Sequence, residues 1–172
     1  MNKFLLLKDN FLIERECNFL INLHKANIKN TKKHPTGDGY TTVLPISKGL
    51  DKKIDELIER KELFVNNFLS DVKLTNVEIV QWDKGVEMKP HYDITSNNIE
   101  YKAATVCYLN NNYTGGETII ENNINISPEL GRMIVFDGLN YKHGVNQITE
   151  NTRYTFISWF IWGEYGEIWN RW

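Results

Sequence analysis

Cysteine is nearly absent from this chain: Cys17 and Cys107 are the only two among 172 residues. That excludes a small secreted domain held by disulfides, and both thiols are expected to be free and buried. A basic excess is missing too. Twenty Lys and Arg stand against 22 Asp and Glu, a net charge of −2. With no cationic stripe to grip a phosphate backbone, no nucleic-acid partner is expected. Long apolar runs are also lacking. The run Phe4–Leu7 near the N-terminus meets Lys8 and Asp9 after four residues. It is too short for a signal-peptide core or a membrane span, so no membrane association and a cytoplasmic location are expected. There is no internal repeat and no low-complexity tract. The length suits one domain with a sizeable core and is short for two.

What is present is a globular composition, 41% hydrophobic and 12% aromatic. Four of the five tryptophans, Trp159, Trp162, Trp169 and Trp172, fall in the last fourteen residues, which predicts a packed or interfacial C-terminal end. The first half reads as helical. Residues 14–27 place Cys17, Leu20, Ile21 and His24 at helical spacing, and residues 51–70 do the same through Ile54, Leu57, Ile58, Val65, Phe68 and Leu69. Asp51 is the expected N-cap of the second helix. Between them, residues 31–49 carry Pro35, Gly37, Gly39, Pro45 and Gly49 and predict a long loop or loose hairpin, with a lid as its expected role. From residue 73 the pattern changes to short β-rich runs separated by turn signals such as Asp83–Gly85, Asn110–Gly116 and Asp137–Asn140. Helices first and many short strands after predict an α+β chain, with a sandwich or jelly roll buttressed by the helices.

Two histidines stand in the strand-rich half. His91 opens His91-Tyr92-Asp93, and His143 follows fifty residues after Asp93. Two imidazoles and one carboxylate are the donors of the facial triad that leaves iron positions open. In an extended segment, residues two apart point the same way, so His91 and Asp93 can reach one metal from one strand end. Ten residues beyond His143, Arg153 opens the apolar run Arg153–Phe160. On one parity of a strand its guanidinium points inward, and a buried guanidinium needs an anion. A dicarboxylate gripped at its far end would meet that need.

Residues 76–162 resemble the catalytic core of the prolyl 4-hydroxylase-like 2-oxoglutarate/Fe(II) oxygenases. The resemblance rests on VEIVQWDKGVEMKPHYD, ATVCYLNNNYTGGET, GRMIVFDG, HGV and RYTFISWF, all in family order, and FLIERECNFLINL is similar to the family's opening helix. It implies a distorted double-stranded β-helix (jelly roll) with supporting N-terminal helices. Within a single domain, residues 1–72 would be helical support and loop, 73–163 the oxygenase core, and 164–172 an aromatic tail. It implies Fe(II), 2-oxoglutarate as co-substrate and O₂, with ascorbate as an optional reductant. His91, Asp93 and His143 match the iron ligands and Arg153 the partner of the distal carboxylate. Tyr108 matches a residue whose hydroxyl contacts that carboxylate, and Trp159 an aromatic wall of the pocket. The family's usual tyrosine nine residues before the first iron histidine is Trp82 here, beside the co-substrate, and an aromatic three before it is Met88, at the pocket mouth. The implied reaction is hydroxylation of an unactivated C–H, with a peptidyl proline or related residue as first substrate class. A free amino acid or small metabolite is the second. A non-catalytic metal-binding jelly-roll module is the reading from another class.

Overall fold

The computed structural model describes residues 3–36, 39–93, 101–121 and 124–163. The tail expected over 164–172, with Trp169 and Trp172, lies outside them, as do Gly37 and Asp38. Helix α1 (Glu14–Ala26) opens with Glu16 reaching back to the Ile13 N–H, at 3.0 Å. It turns Cys17, Leu20 and His24 inward. Helix α2 (Lys52–Asn66) starts at the expected cap: the Asp51 carboxylate accepts the N–H groups of Lys53 and Ile54, at 2.8 and 3.3 Å. Its inner stripe is Ile54, Leu57, Ile58, Lys61 and Val65. Lysine in that stripe is the exception. The Lys61 ammonium donates to the carbonyl of Phe156 (3.1 Å) and to Ser158 Oγ (2.9 Å), and burial pulls its pKa down to about 8.

The strands are β1 (Leu5–Lys8), β2 (Lys32–Thr36), β3 (Gly39–Ile46), β4 (Val72–Trp82), β5 (Met88–His91), β6 (Ala103–Tyr108), β7 (Thr114–Gly115), β8 (Thr118–Ile120), β9 (Ile124–Ile126), β10 (Met133–Phe136), β11 (His143–Val145), β12 (Ile148–Glu150) and β13 (Arg153–Trp162). A seven-stranded sheet has the order β1-β10-β6-β13-β4-β3-β2, and a four-stranded sheet the order β5-β11-β8-β9. Strands β12 and β7 form a two-stranded ribbon. Among the described residues every pairing is antiparallel. This is the α+β double-stranded β-helix with N-terminal helices that the sequence predicts.

Alternation along the central strands separates two faces. On β4 and β13, Val77, Ile79, Tyr154, Phe156 and Phe160 pack into the helix-side core with Leu20, Leu57 and Ile58. The residues of opposite parity, including Glu78, Val80, Trp82, Arg153, Thr155, Ile157 and Trp159, line a cavity between the large and the small sheet. Strands covered on both sides read as nearly continuous apolar runs, and β6 and β13 do.

The N-terminal half holds more strand than its sequence pattern suggests. β1 pairs with β10, and of the long loop or loose hairpin expected over residues 31–49 the structure has the hairpin, β2–β3, with β3 paired along β4 from Thr41↔Trp82 to Ile46↔Val77. Pro35 and Pro45 sit in these strands near the sheet margin, where a missing N–H is tolerated. The hairpin is part of the large sheet, and its His34 and Thr41 reach the cavity.

Candidate active site

The small sheet brings the two histidines together. His91 ends β5, His143 begins β11, and the two are register partners with ring centroids 4.5 Å apart. Asp93 follows just past the strand end, its N–H donating to the carbonyl of Gly138 at 3.0 Å. Its Oδ1 lies 3.8 Å from His91 Nε2 and 3.4 Å from His143 Nε2. One donor atom from each residue falls within 4.8 Å of the others. Tautomers follow from the other ring nitrogens. His91 Nδ1 lies 3.0 Å from the carbonyl of Lys89, and His143 Nδ1 3.0 Å from that of Tyr141. A carbonyl only accepts, so each Nδ1 carries the hydrogen, and each Nε2 lone pair is left for a metal. Burial, and then the neighbouring His143, hold the His91 pKa below its ordinary value, which favours the neutral ligand form.

Two neighbours fix the aspartate. Trp159 Nε1 donates to Asp93 Oδ2 at 3.1 Å. A Cβ on Gly138 would fall 2.8 Å from the same oxygen, so the position has room for glycine alone. Behind this turn, buried Asp137 pairs with buried Lys102 at 2.8 Å and accepts the Asn140 N–H at 3.1 Å. That holds the residues leading into His143.

Arg153, at the opposite end of the cavity, is 1% exposed. Its register partner is Trp82, and its guanidinium lies 4.9 Å from the Trp82 ring centroid and 5.4 Å from that of Tyr108. Nη2 donates to Thr118 Oγ1 at 3.4 Å. Among the described residues Nε and Nη1 have no hydrogen-bond partner, and no carboxylate forms an ion pair with the group. The Tyr113 hydroxyl is likewise buried and unpartnered among the described residues. The Tyr108 hydroxyl lies 2.6 Å from Thr118 Oγ1. Burial pushes both tyrosine pKa values up, so both stay protonated donors. Gly116, at φ +69°, opens the corner: a Cβ there would meet Tyr113 Cε2 at 2.9 Å and Arg153 Cδ at 3.0 Å. Trp82 has no hydroxyl, yet its Nε1 donates to Thr155 Oγ1 at 3.3 Å, and the ring walls the cavity. The cavity measures about 320 Å³.

The structure thus brings all seven residues singled out from sequence, His91, Asp93, His143, Arg153, Tyr108, Trp159 and Trp82, around one space or its immediate wall. Thr118, Thr155, Tyr113 and Gly138 were not singled out. Thr155 shares the parity of Arg153, and Thr118 closes the Gly-Gly-Glu-Thr motif, so both carried a signal. Tyr113 carried none.

The donor set of two imidazoles and a carboxylate fits Fe(II), which favours this mixture over thiolate or all-oxygen sites. The unpartnered nitrogens of a buried arginine fit a carboxylate of a small dicarboxylic acid. Comparisons with known proteins agree with both. Residues 77–161 match the model of the 2OG-Fe(II) oxygenase superfamily. The chain is 27% identical over 124 residues to probable prolyl 4-hydroxylase 10 of Arabidopsis thaliana, a match that takes in 64% of this chain and 42% of that protein. It therefore spans less than half the length of that relative. Among solved structures, the viral collagen prolyl hydroxylase of Paramecium bursaria Chlorella virus-1, in its 2-oxoglutarate complex, superposes with a TM-score of 0.74 at 19% identity, over 92% of this chain and 96% of that one. A Pseudomonas putida prolyl-4-hydroxylase does so at 0.74 and 18%, over 93% of each chain. Sequence match, sheet order and donor chemistry converge: the chain matches the 2OG-Fe(II) oxygenase superfamily over residues 77–161 and has the fold of these prolyl hydroxylases.

Proposed function

We propose that the chain is a 2-oxoglutarate- and Fe(II)-dependent dioxygenase that hydroxylates an unactivated C–H, with a peptidyl proline or a related residue as substrate. The observation that carries this reading is the buried Arg153 guanidinium, without an anion among the described residues, in the same cavity as the His91–Asp93–His143 cluster. A metal-binding module without catalysis has no use for a dicarboxylate clamp. The names of the relatives support the proline assignment: two solved structures are prolyl hydroxylases and the Arabidopsis relative is named a probable prolyl 4-hydroxylase.

On this reading His91 Nε2, His143 Nε2 and the Asp93 carboxylate hold Fe(II). When bound, the metal with 2-oxoglutarate and O₂ supplies the oxidative decarboxylation that yields succinate and CO₂ and the oxygen atom placed in the C–H bond, with ascorbate as optional reductant. The protein's own work is positioning. Backbone carbonyls of Lys89 and Tyr141 hold the imidazoles in the metal-binding tautomer, and the Trp159 indole holds the Asp93 carboxylate in place. Arg153 and the protonated Tyr113 hydroxyl offer donors to the co-substrate's far carboxylate, and Thr118 links Arg153 to Tyr108. Val80, Val106, Phe136 and Ile157 keep the cavity apolar, which strengthens each of these polar contacts by excluding water.

Aerobic incubation with Fe(II) and 2-oxoglutarate tests the reading, with succinate measured alone and with proline-containing peptides or free amino acids. Succinate is expected, faster with a true substrate, and lost in His143→Ala. Undiminished succinate release by His143→Ala would move the metal elsewhere and refute the assignment.

A further inference from the structure

The cavity wall holds one carboxylate, among the described residues, that the metal does not use. Glu78 lies mid-way along β4 on the parity of Asn76, Val80 and Trp82, all facing the cavity. Its register partners are Ile157 on β13 and Pro45 on β3. Ile157 is a cavity residue, whereas Pro45 is exposed, so Glu78 stands where the cavity opens to solvent. It is half-buried, and burial pushes its carboxyl above the ordinary range, with only Lys32 pulling the other way. Among the described residues the carboxylate has no hydrogen bond and no ion pair within 4.0 Å, although eight other acidic side chains form such pairs.

The neighbourhood ties this carboxylate to the reacting end of the cavity. Asn76, one pleat away, is the register partner of Trp159 and donates to Tyr101 Oη at 3.3 Å. Tyr101 packs on Trp159 with centroids 5.9 Å apart, and Trp159 binds Asp93. Tyr92, beside the triad, is exposed at the same mouth. A group held by Glu78 would therefore share the cavity with Tyr92, Tyr101 and Trp159, of which Tyr101 is near enough to feel the Glu78 charge. Along β4, Glu78 is four residues from Trp82, the partner of Arg153, or roughly 13 Å at the rise of a strand. The cavity is thus polarised, with a fixed cation at its deep end and an anion at its mouth.

We infer that Glu78 is a substrate-recognition residue, and that the substrate carries a positively charged nitrogen, an ammonium or a guanidinium, near the carbon that is hydroxylated. A carboxylate on an apolar wall gains most from a charged N–H donor, which restores the hydrogen bonds lost on burial. Rings of tyrosine and tryptophan around that position favour a cation as well. A neutral substrate would leave Glu78 desolvated with nothing in return. The positive nitrogen has two sources of one chemistry: the α-ammonium of a free amino acid, or a lysine or arginine side chain beside the target residue of a peptide. The inference rests on the oxygenase reading given above.

The test uses the full chain with Fe(II) and 2-oxoglutarate. Peptides of one length, with proline flanked by lysine, norleucine or glutamate, form one arm. Free proline and free lysine, each against its N-acetylated form, form the other. Binding is measured without oxygen and substrate-stimulated succinate with it. Wild-type protein is expected to favour the cationic member of one arm roughly tenfold to a hundredfold, the size of one charge-assisted hydrogen bond. Which arm shows the gap identifies the source. Glu78→Gln, nearly isosteric, should close that gap through KM more than kcat, and Glu78→Lys should turn the preference toward the glutamate-flanked peptide. Succinate formed by wild-type protein with no preference for any cationic member, in binding or turnover, overturns the inference and leaves the oxygenase reading standing. An absence of succinate together with no binding of 2-oxoglutarate overturns both.

Discussion

Replacing Arg153 with methionine should move stability and co-substrate affinity in opposite directions. The guanidinium is 1% exposed, with one hydrogen bond, to Thr118, and two nitrogens unpartnered among the described residues. Without an anion, such a group costs several kcal/mol in desolvation, and an apolar residue of similar volume is commonly neutral or stabilising by about 1–4 kcal/mol. The ligand-free Arg153→Met protein should therefore melt at the wild-type temperature or above it. With 2-oxoglutarate the order reverses. Two donors aimed at one carboxylate give a charge-assisted, bidentate contact whose net value is on the order of 2–4 kcal/mol, or roughly 30- to 1000-fold in affinity. At a ligand concentration near 100 times the wild-type Kd, wild-type protein gains about 2.7 kcal/mol, whereas a variant weakened several hundredfold gains almost nothing. Thermal melts with and without 2-oxoglutarate, in the presence of Fe(II) and absence of oxygen, give both numbers. Arg153→Lys should fall between, with a point charge but no fork. If Arg153→Met kept 2-oxoglutarate affinity within about threefold, or lost several kcal/mol of ligand-free stability, the clamp argument would be wrong.

Other perturbations follow from the geometry. Trp159→Phe keeps the ring and removes the donor to Asp93, so Fe(II) affinity should fall roughly tenfold or more while far-ultraviolet circular dichroism stays unchanged. Unaltered metal affinity would make the indole a mere wall. Gly138→Ala puts a methyl 2.8 Å from Asp93 Oδ2 and should weaken metal binding at least as much, read by metal titration. Lys61→Met should change the pH dependence of folding. Its folded pKa of about 8 lies below the usual lysine value near 10.5, so the unfolded chain holds more protons between those limits. The burial penalty is complete below pH 8 and is relieved as pH rises toward 10.5, so wild-type stability relative to Lys61→Met should climb by on the order of 2–3 kcal/mol across that window. A flat difference between the two denaturation curves would contradict the lowered pKa.

Much of this was legible in the sequence because it obeys local rules. The alternation in β4 and β13 assigns Val77 and Phe156 to one face and Trp82 and Arg153 to the other, and Asp51 announces its helix by capping chemistry. The donor types His, Asp and His carry the metal chemistry whatever the fold. What was hidden depends on partners far along the chain. β1 is four residues long and is a strand only because β10 pairs with it. β2 and β3 contain prolines and glycines that leave loop and loose hairpin equally open, and β4 decides for the hairpin by offering an edge. Lys61 reads as a surface residue until the carbonyl of Phe156, 95 positions away, accepts its hydrogen bond. Tyr113 matters only because the corner opened by Gly116 sets it against Arg153. Parity along β4 could have raised Glu78, but what opposes it across the sheet could not be read locally.

The place of β13 in the large sheet bears on how the molecule is made. The last described strand in the chain is inserted at the centre, between β4 and β6, so a growing polypeptide holds two half-sheets that cannot yet meet. Each half would present an unsatisfied inner edge, β4 with Val77, Ile79 and Val80 and β6 with Ala103–Tyr108, both templates for pairing with another copy. Long-range closure of this kind is slow, because the loop entropy must be met before the contacts form. Arg153 opens that strand and Trp159 stands six residues behind it, so the buried guanidinium and the residue steadying Asp93 both depend on the pairing of β13. On the proposed oxygenase reading, the site is complete only once β13 is paired on both sides.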